Sequence, residues 1–173
     1  IPNTANRWYS AMIWTKQTFS FLYGRVDVRI RFQKGNGPFG GCNLIARDNV
    51  YGSWPLSGEL NIVKYSAAWN GHTSHAFHFS NFLEHRLPNS DVDTFKVYTL
   101  IWDPNRLSIL AQGTEILSYN RPGDSPSQWP FNQLFFLYID LSIGWALGPQ
   151  PSPTDQSFYL DVDWVRISQR STT

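Results

Sequence analysis

The chain has little charge, one cysteine and no run of basic residues. Of its 173 residues, 16% are Asp, Glu, Lys or Arg, and the formal net charge is +1. This charge pattern argues against nucleic acid or an anionic membrane as the main partner. Cys42 is alone, which excludes an internal disulfide and gives no indication of the redox compartment.

The chain also lacks an apolar stretch long enough to cross a membrane as a helix. The longest, residues 134–143, is interrupted by Asp140 and suits a buried strand. With 42% hydrophobic and 16% aromatic residues, the chain can still form a core, and its length indicates one domain, 1–173. It does not begin with Met and has no leader pattern, so we expect a processed chain or part of a longer one.

The pattern that remains is one of short strands. Val26, Val28, Ile30 and Phe32 alternate with charged residues, which is typical of a sheet with one buried and one solvated face. Glycine and proline separate the segments, and none has a helical period. The sequence therefore predicts an all-β sandwich of two antiparallel sheets. Further strands are predicted at residues 42–46, 75–80, 95–102, 107–110, 134–143 and 158–167.

The stretch 54–65 carries polar side chains where a structural strand would be apolar. Strict alternation places Glu59 and Asn61 on one face and Lys64 on the other, among aliphatic residues. Burying a lysine there is costly. A bulge near residues 62–63 would bring Lys64 onto the face of Glu59 and Asn61. We therefore predict that the three side chains converge on one sheet surface.

This stretch, Trp-Pro-Leu-Ser-Gly-Glu-Leu-Asn-Ile-Val-Lys, resembles the signature strand of glycoside hydrolase family 16, the laminarinase-like β-glucanases. Three more segments resemble family segments in the same order. They are Phe-Ser-Phe-Leu-Tyr-Gly-Arg-Val at 19–26, Trp-Pro-Phe-Asn-Gln at 129–133 and Asp-Val-Asp-Trp-Val-Arg at 161–166. The resemblance implies a concanavalin-like β-jelly-roll with a cleft on its concave face, and a secreted location.

The resemblance also implies that N-terminal strands of the family are missing. The chain joins the family pattern only near Trp14, and residues 1–10 are too short to supply the strands that precede it in relatives. We expect either a fragment or a partner chain that covers the exposed sheet edge, and we favour the second.

By the same resemblance, Glu59 occupies the nucleophile position, Asn61 that of an assisting Asp, and Lys64 that of the acid/base Glu. Retaining glycosidases need two carboxyl groups, one as nucleophile and one as acid and then base. Asn61 can hydrogen-bond Glu59 but cannot pass a proton. A lysine ammonium is a poor acid towards a glycosidic oxygen and, while protonated, cannot act as a base. We predict a Glu59–Lys64 ion pair and a catalytically inactive module.

The sugar-contacting wall differs from the family pattern as well. Asn43 stands where the family has a tryptophan that lines the cleft, whereas Phe39 keeps an aromatic ring. His78 matches a family histidine and is expected to hydrogen-bond sugar or Glu59. Flat aromatic faces suited to stacking on a pyranose are predicted at Trp54, Trp129 and Trp145.

No metal site or cofactor is predicted, because His75 and His78 would point to opposite faces of a strand. Three functions remain open. The first is a catalytically inactive module that binds a β-1,3-glucan or a related polysaccharide. The second is a structural or assembly protein of an extracellular complex with a vestigial sugar site. The third is an active endo-β-glucanase with unusual residues.

Overall fold

The chain folds into two antiparallel sheets, which confirms the predicted all-β sandwich. A computed structural model describes residues 8–69, 71–144, 151 and 157–169. A 3₁₀ turn spans Ala67–Trp69. The strands are β1 (Ala11–Trp14), β2 (Gly24–Phe32), β3 (Pro38–Ala46), β4 (Glu59–Ser66), β5 (His72–His78), β6 (Phe82–Pro88), β7 (Lys96–Trp102), β8 (Arg106–Ala111), β9 (Thr114–Asn120), β10 (Phe135–Ile143) and β11 (Leu160–Ser168).

Within the described residues, one sheet has six strands in the order β1-β10-β3-β4-β5-β6, and the other has five in the order β11-β2-β7-β8-β9. The core lies between them. Side chains of β2 such as Val26 and Ile30 are at most 1% exposed, as the alternation predicted. The six-stranded sheet contributes Leu44 and Leu60 to the same core, both fully buried. In the described part of the chain, no helix has the length and apolarity needed to cross a membrane.

Strands β1, β6 and β9 are missing from the sequence-based prediction. All three are edge strands of their sheets. β6 has charged, mostly exposed side chains and ends in a proline, and β9 is likewise largely exposed. Edge strands commonly carry charge and proline because these discourage further pairing, and this weakens the alternation of apolar and polar residues.

Candidate functional site

A bulge in β4 brings the three predicted polar residues together. Across β3, Cys42 pairs with Val63 and Asn43 pairs with Asn61, so Ile62 is an extra residue. The β4–β5 register shifts at the same place. The Nδ1–H of His75 donates to the Ile62 carbonyl at 2.6 Å, which satisfies a backbone group that the bulge removes from the ladder.

The consequence is that Lys64 lies beside Glu59, as predicted. Lys64 Nζ donates to Glu59 Oε1 at 3.1 Å, and Trp54 Nε1–H donates to Glu59 Oε2 at 2.7 Å. Glu59 is only 7% exposed. Both carboxylate oxygens of Glu59 are therefore engaged by side chains of the protein itself. We call this face of the six-stranded sheet, turned away from the core, the site face.

Asn61 contacts a different partner from the one expected. Its Nδ2 lies 2.8 Å from Nε2 of His78 rather than on Glu59, and its Oδ1 is buried without a described partner. Burial lowers the pKa of His78, which favours the neutral imidazole, although the Glu59 carboxylate opposes this. A neutral ring can accept the Asn61 N–H at Nε2 and carry its own proton on Nδ1.

Asn43 forms part of the floor of the site rather than a wall. It is fully buried, and its Nδ2 donates to Asp140 Oδ1 at 3.3 Å. Asp140 is 8% exposed, and burial raises the pKa of its carboxyl, with the Lys64 cation opposing the rise. In the sequence, Asp140 stands out only as an interruption of an apolar strand. A lone acid in such a run was the signal that could have identified it as a site residue.

A row of paired residues crosses the site face at right angles to the strands. Asp140 on β10 pairs with Gly41 on β3, which pairs with Lys64 on β4. Lys64 pairs with Ser74 on β5, which pairs with Arg86 on β6. Because directly paired residues point to the same side of a sheet, the row carries Asp140, Lys64 and Arg86 on one face. A side chain at Gly41 would approach Lys64 Cγ to 2.9 Å, so the glycine leaves room for the lysine stem.

Beside Glu59, aromatic rings form one exposed platform. Trp54 is 61% exposed, and its ring centroid lies 5.9 Å from that of His78. His78 stacks on Phe82 at 5.5 Å with an interplanar angle of 7°, and Phe82 is 52% exposed. Phe82 was not among the predicted sugar-contacting residues, because it begins an edge strand that the sequence analysis did not recognise.

At the other end of β5, a second group of rings borders a cavity. The Phe39 ring centroid lies 5.7 Å from Lys64 Nζ and 5.8 Å from the Trp69 ring centroid, with the two rings in a T-shaped arrangement. The Arg86 guanidinium lies over the Trp69 ring at 5.2 Å. The cavity measures about 330 Å³ and is lined by Ala68, Trp69, His72 and Arg86.

The prediction that Trp129 offers a stacking face is wrong. Its side chain is 1% exposed and packs against Tyr119 at 5.7 Å and Phe131 at 5.4 Å. A ring enclosed by core aromatics has no face available to a sugar. Trp145 lies outside the described residues.

The described residues contain no cluster of three His, Cys, Asp or Glu side chains that could hold a metal ion. His75 is fully buried on the core side of β5, with its ring 5.3 Å from that of Tyr98 in the other sheet. His78, on the same strand, lies on the site face.

Comparison with known proteins agrees with this architecture. The laminarinase from Flavobacterium sp. UMI-01 superposes with a TM-score of 0.84 at 19% identity, over 91% of this chain and 72% of that one, which shows the shared fold. Glucan endo-1,3-beta-glucosidase A1 of Niallia circulans is 26% identical over 96% of this chain and 27% of its own length. A beta-1,3-glucan-binding protein of Penaeus monodon is 26% identical over 91% of this chain and 46% of its own length.

The chain thus spans less than half the length of these two curated relatives. The sequence profile described as Glycosyl hydrolases family 16 matches residues 3–166, which is nearly the whole chain. The chain belongs to glycoside hydrolase family 16.

Proposed function

We propose that the site face binds a β-1,3-glucan-type polysaccharide and does not hydrolyse it. The observation that carries this proposal is the state of Glu59, whose two carboxylate oxygens accept hydrogen bonds from Lys64 and Trp54. A carboxylate held by a neighbouring ammonium is a weaker nucleophile than a free one. That ammonium belongs to Lys64, which stands at the position where the family resemblance implies a proton donor.

The loss of the acid/base group affects both steps of a retaining mechanism. Protonation of the leaving oxygen and activation of the incoming water are assigned to the same carboxyl group. Losing general acid–base assistance typically reduces the rate by ~10²–10⁴-fold. Asn61, at the assisting position, contacts His78 rather than Glu59, so it does not compensate.

Binding of a polysaccharide does not require an acid/base group, and aromatic side chains that can support binding are present. Trp54 and Phe82 are exposed aromatic rings beside the Glu59 centre, and flat apolar faces stack on pyranose rings. Relatives include proteins named for glucan hydrolysis and proteins named for β-1,3-glucan binding. A module without the acid/base group is closer in chemistry to the second kind.

Calorimetric titration with laminarin tests the binding proposal. The unmodified chain is expected to bind, and Trp54→Ala to bind at least about fivefold more weakly, because the stacking face is removed. Trp54→Phe retains a ring but not the N–H to Glu59, so it separates stacking from the hydrogen bond. Tyr159→Ala is the matched control, since Tyr159 is an exposed aromatic residue away from the site face. Absence of binding to laminarin by the unmodified chain would contradict the proposal.

A reducing-sugar assay on the same laminarin tests the absence of hydrolysis. No release above the rate of a buffer blank is expected. Release that is abolished by Glu59→Gln would overturn the proposed inactivity and establish an active endo-β-glucanase.

One observation favours an active endo-β-glucanase. Asp140 is another carboxyl group on the site face, and burial raises its pKa, which favours the protonated form that a general acid requires. If hydrolysis is found, Asp140→Asn is expected to reduce it strongly. A secreted location and a partner chain over the exposed sheet edge stay predictions.

A further inference from the structure

The cavity bordered by Trp69, His72 and Arg86 is not used by the predicted glucanase site. His72 and His78 are the first and last residues of β5, six residues apart. Arg86, which also lines the cavity, is four residues from Phe82 on β6. At about 3.4 Å per residue, the cavity therefore lies ~14–20 Å along the strands from the Trp54 platform. A polysaccharide that crosses the site face along this direction would contact both.

Trp69 forms one wall of the cavity. Its ring is half-buried and makes a T-shaped contact with Phe39, while the backbone carbonyl of Trp69 lies 2.9 Å from Nδ1 of His72. These contacts fix the ring at the cavity wall.

Arg86 places a cation over the Trp69 ring. Its side chain is 48% exposed, and its guanidinium lies over Trp69 at 5.2 Å. Nε donates to Glu84 Oε1 at 3.2 Å, and the same oxygen accepts from Ser74 Oγ at 2.6 Å. Glu84 is thus bound through the Nε edge, and no described residue accepts a hydrogen bond from the two terminal amino groups of Arg86.

A guanidinium with two available amino groups, stacked on an aromatic ring, matches the geometry of a planar carboxylate or a sulfate ester. We propose that this cavity is a subsite for a sugar unit that carries an acidic group, so that the site face selects an anionic β-glycan over a neutral one. This inference rests on the proposed polysaccharide binding and adds the substrate class. The net charge of +1 and the absence of a basic run make a general polyanion surface a poor alternative.

The test compares neutral laminarin with laminarin sulfate of matched chain length by calorimetry at low and physiological salt. The unmodified chain is expected to bind the sulfated form about fivefold more tightly, which is the size expected of a partly exposed charge pair. Arg86→Gln is expected to remove this preference, so that the two laminarins bind with equal affinity. Trp69→Ala, which removes the ring beneath the guanidinium, is expected to reduce this preference as well.

Arg106→Gln is the matched control, because Arg106 is a similarly exposed arginine, paired with Glu115, on the five-stranded sheet. It should leave the preference intact. Dextran sulfate, a sulfated α-glucan, should bind less tightly than laminarin sulfate. The inference is overturned if Arg86→Gln weakens both laminarins equally, if Arg106→Gln removes the preference, or if dextran sulfate binds as tightly as laminarin sulfate. If the chain does not bind polysaccharide at all, the unmodified chain gives no binding signal with neutral laminarin. This outcome distinguishes failure of the proposed function from failure of the anionic subsite.

Discussion

At the scale of single residues, the main feature of the site is a cation in place of a carboxyl group. A lysine stands where the family resemblance implies a proton donor, and it contacts a carboxylate that is itself almost fully buried. The side chains of Lys64 and Glu59 are 17% and 9% exposed. Removing a partner from such a pair leaves an uncompensated buried charge, whereas removing both charges leaves none.

Lys64→Met is therefore expected to lower the free energy of unfolding by about 3 kcal/mol, because Glu59 loses its ammonium partner in a poorly solvated place. The double variant Glu59→Gln/Lys64→Met is expected to be within about 1 kcal/mol of the unmodified chain. Urea unfolding, followed by fluorescence of the eight tryptophans, measures both. Equal losses in the single and double variants would show that packing of the lysine stem, and not the ion pair, is what stabilises this site.

The convergence of Glu59, Asn61 and Lys64 could be predicted from the sequence. Burying a lysine among core aliphatic residues is costly, and a bulge avoids that cost by turning Lys64 to the other face of the sheet. The partners of Asn61 and Asn43 could not be predicted. They depend on His78 and Asp140, which reach the site from other strands through the sheet register. A motif match likewise placed Trp129 near the site, but its side chain points into the core, against Tyr119 and Phe131.

At the scale of elements, β3 determines how closely its two neighbours approach on the site face. Gly40 and Gly41 lie in β3 with Asp140 on one side and Lys64 on the other. A Cβ atom at Gly41 would meet the Val63 carbonyl oxygen and would lie 2.9 Å from both Cα and Cγ of Lys64. Most of these atoms are backbone, so the neighbouring strand itself would have to move.

Gly41→Ala is accordingly expected to destabilise the fold by at least about 2 kcal/mol, through overpacking beside the bulge. Gly123→Ala is the control, since a Cβ there meets nothing within 4 Å, and a change within about 0.5 kcal/mol is expected. Thermal or urea unfolding measures both variants. A Gly41→Ala variant as stable as the Gly123→Ala control would mean that β3 and β4 adjust freely around the site.

The central strands were predictable for a reason that the edge strands do not share. β2, β7 and β10 are apolar on the core side, so alternation or continuous hydrophobicity identifies them. β6 supplies Phe82 and Arg86 to the site face, yet its charged, exposed sequence gives no strand signal. Of the site residues not predicted from the sequence, Phe82 and Arg86 lie on β6 and Trp69 lies on the turn at Ala67–Trp69, whereas Asp140 lies on the central strand β10.

At the scale of the whole molecule, His75 contacts both the opposite sheet and the bulge in β4. Its ring lies 5.3 Å from Tyr98, on the opposite sheet, and it donates to the Ile62 carbonyl in β4. Its Nε2 lies 3.1 Å from Thr73 Oγ1. Burial lowers the pKa of His75 to about 4 from an ordinary value of 6.5, so folding requires the neutral ring.

Stability is therefore expected to fall as pH decreases from 6.5 towards 4, because in that window the unfolded chain binds a proton at His75 that the folded chain excludes. The loss from this group alone can reach about 3 kcal/mol. Burial of His78 acts in the same direction, whereas the raised pKa of Asp140 acts in the opposite one. Urea unfolding of the unmodified chain and of His75→Gln, at several pH values, isolates the contribution of His75. The variant should show a shallower dependence on pH between 4 and 6.5, whatever its stability at pH 7. Parallel pH profiles for the two chains would mean that protonation of His75 does not oppose folding.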